Sequence, residues 1–243
     1  MLKYTTIKPS VYIESTVISY LVARPSSNPI LASRQKASQQ LWEDYVDRFE
    51  FVISPIVRAE IQRGDTIAAQ RRLEMVSSLT VLEILPEVDV LVQKLLDTGA
   101  VPGNSEPDAQ HIAIATAYGV EYLVSWNHKH IVNEHKREHI NQVCQAAGFQ
   151  RITICTPIQL MEDIQMKETP EKHPEFDPET YTDPILEECY RIKAEISAKF
   201  KNPGELYAYL KAMQEEDKRN GVKYVSYYDP SKRLPVEESI DDD

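Results

Sequence analysis

Four side chains that carry oxygen ligands occur where predicted strands end or predicted helices begin. Glu14 follows the first predicted strand, and Glu60 lies on the helix after the second. Asp108 opens a later helix, and Asn127 follows the fourth strand. Carboxylates gathered at one edge of a parallel sheet repel one another and stay ionised when a cation lies among them. Oxygen ligands of this kind suit Mg²⁺ or Mn²⁺, and such an ion can orient a water for attack on a phosphodiester.

Each of these side chains also has an interpretation without chemistry. Glu14 and Asp108 stand at helix starts, where the helix macrodipole favours an acidic residue. Glu60 fits a solvated helix position. His111 lies three residues after Asp108 on the same helix face, which is more typical of a partly buried polar residue than of a catalyst. The prediction of chemistry therefore depends on the acids meeting at one edge of the sheet.

Short apolar runs, rich in β-branched and aromatic residues, alternate with helical segments along the first two thirds of the chain. This alternation predicts an α/β sandwich with a mostly parallel sheet, in which ligands bind beyond the carboxyl ends of the strands. Ser15 or Thr16 is expected to cap the helix after the first strand, and the next helix is expected over 32–48. The predicted strands span 10–13, 49–55, 80–85, 120–126 and 151–157.

The composition limits the class of protein. A chain of 243 residues with 42% hydrophobic content can form one catalytic domain with an appendage. No run approaches the roughly 20 apolar residues of a membrane span, and the first residues lack the apolar core of a secretory signal. We therefore expect a cytoplasmic protein without membrane contact. Three widely spaced cysteines without a CxxC pattern predict reduced, partly buried thiols: Cys144, Cys155 and Cys189.

The formal net charge of −11 is unusual for a protein that binds a nucleic-acid backbone, because such proteins present basic surfaces. The acidic excess is uneven along the chain. Residues 166–243 contain 19 acidic and 12 basic side chains, so they account for −7 of the total. This segment either covers a basic groove or keeps a tail soluble.

The chain changes character near residue 165. Residues 165–181 are rich in charges and prolines and predict a linker between a domain at 1–164 and a small module at 182–243. The module contains two amphipathic helices, a run that alternates like an edge strand, and an acidic tail. Such a module is too small for a core of its own, so we expect it to pack on the first domain or on a second copy of the chain. Its first helix has one apolar face, formed by Ile185, Cys189, Ile192 and Ile196.

The blocks VYIESTVISYL, ISPIVRAEI and EPDAQHIAIATAYGVEYLVSWNHKHI resemble the PIN-domain nucleases, especially the VapC-like toxins of type II toxin–antitoxin systems. The resemblance covers about residues 10–163. It implies a PIN-like α/β/α sandwich and endoribonuclease activity on an RNA substrate. It also implies that Mg²⁺ or Mn²⁺ is bound by the residues that match the family's acids, which are Glu14, Glu60 and Asp108.

Two positions depart from the family's usual pattern. Glu14 stands where the family usually has Asp, so its longer side chain must reach the metal in another rotamer. Asn127 stands where many members have a fourth acid; an amide adds no charge, so a second ion would be held less well. The resemblance still places Asn127 among the catalytic residues. Ser15, Thr16 and His111 are expected as supporting residues, the two hydroxyls as partners of water or phosphate.

The C-terminal module is similar to small proteins encoded beside PIN toxins, which are their antitoxins. The similar segments are DPILEECYRIKAEISAKF and LKAMQEEDKRNGVKYVS. The resemblance implies that an antitoxin-like segment acts in cis, or that a separate antitoxin binds, and a homodimer is expected. A tethered inhibitor acts at an effective concentration of about 1 mM or more. We therefore hypothesise that residues 182–228 restrict RNA access to the nuclease domain.

Two other functions remain open at this point. A PIN-like nuclease can act in RNA processing or DNA repair rather than as a toxin. Alternatively, the changes at Glu14 and Asn127 leave a non-catalytic PIN-like protein that binds RNA or protein and has lost its metal-dependent activity. Metal-dependent RNA cleavage, with EDTA and Asp108→Asn as controls, separates the enzyme from the binding protein.

Overall fold

A single all-parallel sheet organises the chain. The computed structural model describes residues 8–165 and 183–234, and within them six strands pair in the order β5–β4–β1–β2–β3–β6. The inner strands are buried and continuously apolar, as expected for a sheet covered on both faces. The strands are β1 (Ser10–Ile13), β2 (Glu50–Ile53), β3 (Thr80–Leu82), β4 (Tyr122–Val124), β5 (Thr153–Cys155) and β6 (Tyr224–Val225).

Helices connect the strands and cover the sheet, which gives an α/β fold consistent with an α/β/α sandwich. The sequence predicted this class and the parallel sheet, and both are confirmed. In the described residues the helices are α1 (Ser15–Val22), α2 (Pro29–Asp44), α3 (Pro55–Ile61), α4 (Thr66–Met75), α5 (Pro86–Asp97), α6 (Glu106–Ala117), α7 (Glu134–Ala146), α8 (Pro157–Gln165), α9 (Pro184–Ser197) and α10 (Pro203–Arg219).

Two helix starts differ from the sequence prediction. The helix expected over 32–48 begins at Pro29, because the side chain of Asn28 accepts hydrogen bonds from the next free backbone N–H groups and Pro suits the first turn. The cap of α1 was also predicted wrongly. Glu14, not Ser15 or Thr16, is the N-cap residue, and its carboxylate accepts the Thr16 N–H at 3.0 Å.

The strand order reverses direction at β1. From β1 the chain proceeds outward through β2 and β3, and then returns to β4 and β5 on the other side of β1. Ligand sites of open parallel sheets lie at such switch points, beyond the carboxyl ends of the strands. Glu14 follows β1 at this edge, and Ser125 and Asn127 follow β4. The topology therefore places these side chains in the crevice where a ligand is expected.

The C-terminal module packs on the first domain of the same chain. Helix α9 contacts α1, α3 and α6, helix α10 contacts α3 and α5, and β6 extends the sheet beside β3. The predicted edge strand is therefore present, although it is only two residues long. The predicted linker 165–181 lies outside the described residues except for Gln165, which ends α8, and the acidic tail from 235 onward also lies outside them.

Two arginine–aspartate pairs, one buried and one partly buried, are among the polar contacts that hold the module to the domain. The Arg34 guanidinium lies 2.7 Å from a carboxylate oxygen of Asp183, which also accepts the Tyr20 hydroxyl. Arg58 donates two hydrogen bonds, of 2.7 and 3.1 Å, to the two carboxylate oxygens of Asp217. The two parallel hydrogen bonds between Arg58 and Asp217 fix the orientation of the two side chains as well as their distance. Helices α9 and α10 are thus each tied to the domain by an arginine–aspartate pair.

Two predictions from composition can be compared with the structure. All three cysteines are buried and none forms a disulfide. Among residues 8–165 and 183–234, no helix combines the length and apolar character that crossing a membrane requires.

Candidate metal centre

The structure brings the three predicted acids together at the carboxyl edge of the sheet. Glu14 follows β1, Glu60 lies on α3 after β2, and Asp108 lies in the first turn of α6. All three side chains are almost completely buried, with residue exposures of 0%, 3% and 2%. The interpretation of Glu60 as a solvated helix residue is therefore wrong. Three carboxylates that are buried from solvent and close together need positive charge nearby to stay ionised.

That positive charge comes from the C-terminal module. The Lys193 ammonium, on helix α9, lies 2.9 Å from Glu14 Oε1, 2.9 Å from Glu60 Oε1 and 3.3 Å from Asp108 Oδ1. The lysine residue itself is only 5% exposed. One ammonium thus contacts all three carboxylates, and it stands where sequence analysis expected a metal cation.

The acids and the lysine fix each other's protonation. Burial by itself would raise the pKa of Glu14, but the Lys193 ammonium and neighbouring donors outweigh it and hold the pKa at about 2. The pKa of Asp108 is lowered in the same way, against burial, by Lys193 and by His130. Burial alone would lower the pKa of Lys193, yet the carboxylates, Glu14 first, raise it well above its usual value. Glu14, Asp108 and Lys193 are therefore ionised at neutral pH.

Hydroxyl groups orient the Glu14 carboxylate so that its two oxygens have different hydrogen-bond partners. Oε2 accepts the Thr16 backbone N–H, the Thr16 hydroxyl and, at 2.8 Å, the Ser125 hydroxyl. Oε1 faces Lys193 and lies 2.9 Å from the Ser15 hydroxyl, which also reaches Glu60. Ser15 and Thr16 thus hold the carboxylates in place, while Glu14 both caps α1 and contributes to the acid cluster.

Asn127 orients Asp108 through a side-chain hydrogen bond. Its side-chain nitrogen donates to Asp108 Oδ1 at 2.9 Å, and its oxygen accepts the His130 backbone N–H at 3.1 Å. The other Asp108 oxygen lies 2.7 Å from His130 Nδ1. Asn127 thus positions Asp108, and its place among the catalytic residues stays a prediction.

His111 reaches into the same cluster from α6. It is completely buried, and its Nε2 lies 2.9 Å from Lys193 Nζ and 3.1 Å from Glu60 Oε2. Its Nδ1 lies 2.9 Å from the Tyr12 hydroxyl, which contacts the Ser54 hydroxyl in turn. The imidazole therefore has one nitrogen in the acid cluster and the other in contact with the hydroxyl groups of Tyr12 and, through it, Ser54.

A cavity of about 300 Å³ lies against the cluster. Asp108 and Lys193 form part of its wall, so the side of the cluster formed by these two residues faces open space. Lys129 and His130 contribute polar groups to the wall, and Tyr190 of α9 contributes an aromatic ring. The Lys129 ammonium lies 5.7 Å from the centre of that ring. The cavity is therefore bounded on one side by the first domain and on the other by the module.

Sequence analysis missed Lys193 and His130. Lys193 lies four residues after Cys189 and three before Ile196, so it occupies the face of α9 that was recognised as apolar. A single lysine within an apolar helix face indicates either a buried ion pair or an interface. His130 was inside the block that carried the family resemblance, but nothing in its spacing distinguished it from the neighbouring His128.

The donor set fits a divalent cation. Glu14, Glu60 and His111 each present a ligand atom, and these atoms lie within 4.8 Å of one another, with Asp108 beside them across the ammonium. A doubly charged ion would also supply more positive charge to the buried carboxylates than the single ammonium does. Oxygen ligands with one imidazole nitrogen are within the range that Mn²⁺ accepts, and the oxygens alone suit Mg²⁺.

Comparison of the chain with protein-family models, with curated proteins and with solved structures gives no match. The functional argument therefore depends on the chemistry of the acid cluster and on what lies against it.

Proposed function

We propose that this protein is a metal-dependent endoribonuclease of PIN-like architecture, toxin-like in activity and restrained by its own antitoxin-like C-terminal module. The observation that carries the proposal is the Lys193 ammonium, which a separate part of the chain inserts among three buried carboxylates. A cation site that a second module fills is the arrangement expected of a nuclease held inactive. RNA as the substrate comes from the sequence resemblance.

Three acids would hold the catalytic ion, which is Mg²⁺ or Mn²⁺. Glu14, Glu60 and Asp108 supply its oxygen ligands. When bound, such an ion lowers the pKa of water and neutralises charge that develops on the phosphodiester. The pairs that the chain forms around these acids keep them rigid before any ligand arrives: Ser125 and Thr16 on Glu14, and His130 and Asn127 on Asp108. Rigid, ionised ligands lower the cost of organising the site.

The C-terminal module restrains the nuclease in two ways at the acid cluster: its ammonium occupies the position of the cation, and its helix α9 covers the approach to it. Lys193 contributes the positive charge that an ion would otherwise supply, so an ion and the ammonium compete for one position. Helix α9 also lies over the edge of the sheet where a phosphodiester would have to approach, and its Tyr190 lines the cavity beside Asp108. Removal of the ammonium from this position is therefore required for metal binding, and displacement of α9 would widen the approach for the substrate. The arginine–aspartate pairs Arg34–Asp183 and Arg58–Asp217 oppose that displacement.

A non-catalytic protein is the second candidate function. The same lysine favours it, because Lys193 satisfies the three acids without a metal and so could serve only to stabilise the fold. In that case the protein would bind RNA or another protein through its surface. The two candidates differ in what happens when the lysine is removed.

A chain that ends at Gln165 should cleave RNA in the presence of Mn²⁺ or Mg²⁺, whereas the full chain should cleave it far more slowly. Truncation removes both the ammonium and helix α9 from the acid cluster. The assay uses a mixed-sequence RNA, with EDTA and Asp108→Asn as controls and circular dichroism to establish that the truncated chain is folded. A folded truncated chain without metal-dependent cleavage would favour the non-catalytic candidate. Appearance of the same cleavage in the Asp108→Asn chain would point to a contaminating nuclease.

A further inference from the structure

The imidazole of His111 has a place in the acid cluster that neither candidate function explains. The side chain is 0% exposed and its Nε2 points at the Lys193 ammonium from 2.9 Å. Nε2 also lies 3.1 Å from Glu60 Oε2 and 3.8 Å from Glu14 Oε1. A histidine that only filled the core would not need its second nitrogen beside two glutamate carboxylates.

The contact with Tyr12 gives the second nitrogen of His111 a hydrogen-bond partner outside the acid cluster. Nε2 faces both the Lys193 ammonium, which can only donate, and a Glu60 carboxylate oxygen, which can only accept. In the tautomer that accepts from Lys193, which is also the one that can bind a cation through Nε2, the ring proton is on Nδ1. From Nδ1 it is donated to the Tyr12 hydroxyl at 2.9 Å, and that hydroxyl can donate to Ser54. This leaves a lone pair on Nε2 that faces the position of the cation. A ring whose far N–H is fixed by a hydrogen bond is the usual state of a histidine that ligates a metal.

The distances between donor atoms agree with a shared ion. Ligands at about 2.1–2.2 Å from an ion lie about 3 Å apart when adjacent and about 4.3 Å apart when opposite. The separations of 3.1 and 3.8 Å from Nε2 to the two glutamates fall within this range. The ligand atoms of Glu14, Glu60 and His111 all lie within 4.8 Å of one another.

We infer that His111 Nε2 is a direct ligand of the catalytic ion, alongside Glu14, Glu60 and Asp108, and that the site therefore prefers Mn²⁺ to Mg²⁺. This inference rests on the proposed function. Its chemical basis is that an imidazole nitrogen suits transition-metal ions, whereas Mg²⁺ favours oxygen ligands and retains its water. Lys193 then imitates the ion at all four ligands, because its ammonium contacts three carboxylates and the imidazole at once.

The test uses Mn²⁺ as the probe on the full-length chain with Lys193→Ala, which opens the position. Pulsed electron paramagnetic resonance detects nitrogen bound to Mn²⁺ through its nuclear coupling. We expect a histidine nitrogen coupling that is lost in the added variant His111→Gln and kept in the matched variant His130→Gln. His130 is the matched histidine because its Nδ1 lies 2.7 Å from Asp108, whereas it is not part of the group of ligand atoms formed by Glu14, Glu60 and His111. We also expect Mn²⁺ to bind about tenfold or more tightly than Mg²⁺, with His111→Gln removing most of that difference.

The outcomes separate this inference from the proposed function. Bound Mn²⁺ without nitrogen coupling, or with a coupling that survives His111→Gln, overturns the assignment of His111 as a ligand. It leaves the nuclease proposal intact if the same Lys193→Ala chain cleaves RNA. Absence of both Mn²⁺ binding and RNA cleavage in a folded Lys193→Ala chain overturns the inference and the proposed function together.

Discussion

Lys193→Ala in the full-length chain should raise metal-dependent RNA cleavage by roughly 100-fold. Breaking a buried ion pair typically changes a free energy by about 3 kcal/mol or more, and each 1.4 kcal/mol corresponds to about a factor of ten. The substitution removes the ammonium that occupies the cation position, while α9 keeps its apolar contacts and both arginine–aspartate pairs. The measurement is the initial rate of RNA cleavage in Mn²⁺, compared between the variant and the natural sequence.

Lys199→Ala is the matched control for this prediction. Lys199 follows the same helix but is exposed, so its removal changes the charge of the module equally without touching the acid cluster. Its cleavage rate should equal that of the natural sequence. Adding Asp108→Asn to Lys193→Ala should abolish the gained activity. A Lys193→Ala chain that binds metal and remains as inactive as the natural sequence would show that the ammonium does not restrain catalysis.

The second large effect is on stability and depends on metal. Without a divalent ion, Lys193→Ala leaves three buried carboxylates without their cation, and breaking a buried pair in this way costs about 3–5 kcal/mol. In a chain of this size that lowers the melting temperature by roughly 10 °C. Mn²⁺ at about 100 times its dissociation constant should return about 2.7 kcal/mol, most of the loss. The natural sequence should gain little, because Lys193 already occupies the position.

Thermal unfolding followed by circular dichroism, with and without Mn²⁺, checks this prediction. Lys199→Ala should unfold like the natural sequence in both conditions. Two results contradict the account: a Lys193→Ala chain whose melting temperature does not respond to Mn²⁺, and a natural chain that is stabilised by Mn²⁺ as strongly as the variant. The second result would place the ion elsewhere in the molecule.

The parts of the fold that local sequence determines were predictable. The apolar run before Glu14 predicted β1 correctly. Helices α3 and α4 begin where local chemistry favours a helix start, with Pro55 in the first turn of α3 and Asp65 as the N-cap of α4. Gly99 follows the end of α5 with a positive φ of 70°. These features depend on residues within one turn or one strand. The N-cap of α1 was predicted wrongly because several neighbouring side chains can cap a helix. The Glu14 carboxylate accepts the Thr16 N–H, so Glu14 is the N-cap residue rather than Ser15 or Thr16.

The candidate site was predictable only in part, because its composition depends on contacts between distant segments. The acids could be anticipated, since each follows a strand or opens a helix at the same edge of the sheet. The role of Lys193 depends on how a helix beyond residue 182 lies across α1, α3 and α6, and no local pattern encodes that contact. Likewise, the surroundings of His111 Nε2 include a lysine 82 positions later in the chain.

The crystal structure of the Lys193→Ala chain grown with Mn²⁺ tests the central claim most directly, because anomalous scattering identifies the ion and its position. The account predicts one strong anomalous peak among Glu14, Glu60, Asp108 and His111, at the place that the Lys193 ammonium occupies in the natural sequence. A crystal structure without an anomalous peak among these four side chains, together with no RNA cleavage at the same Mn²⁺ concentration, would contradict it.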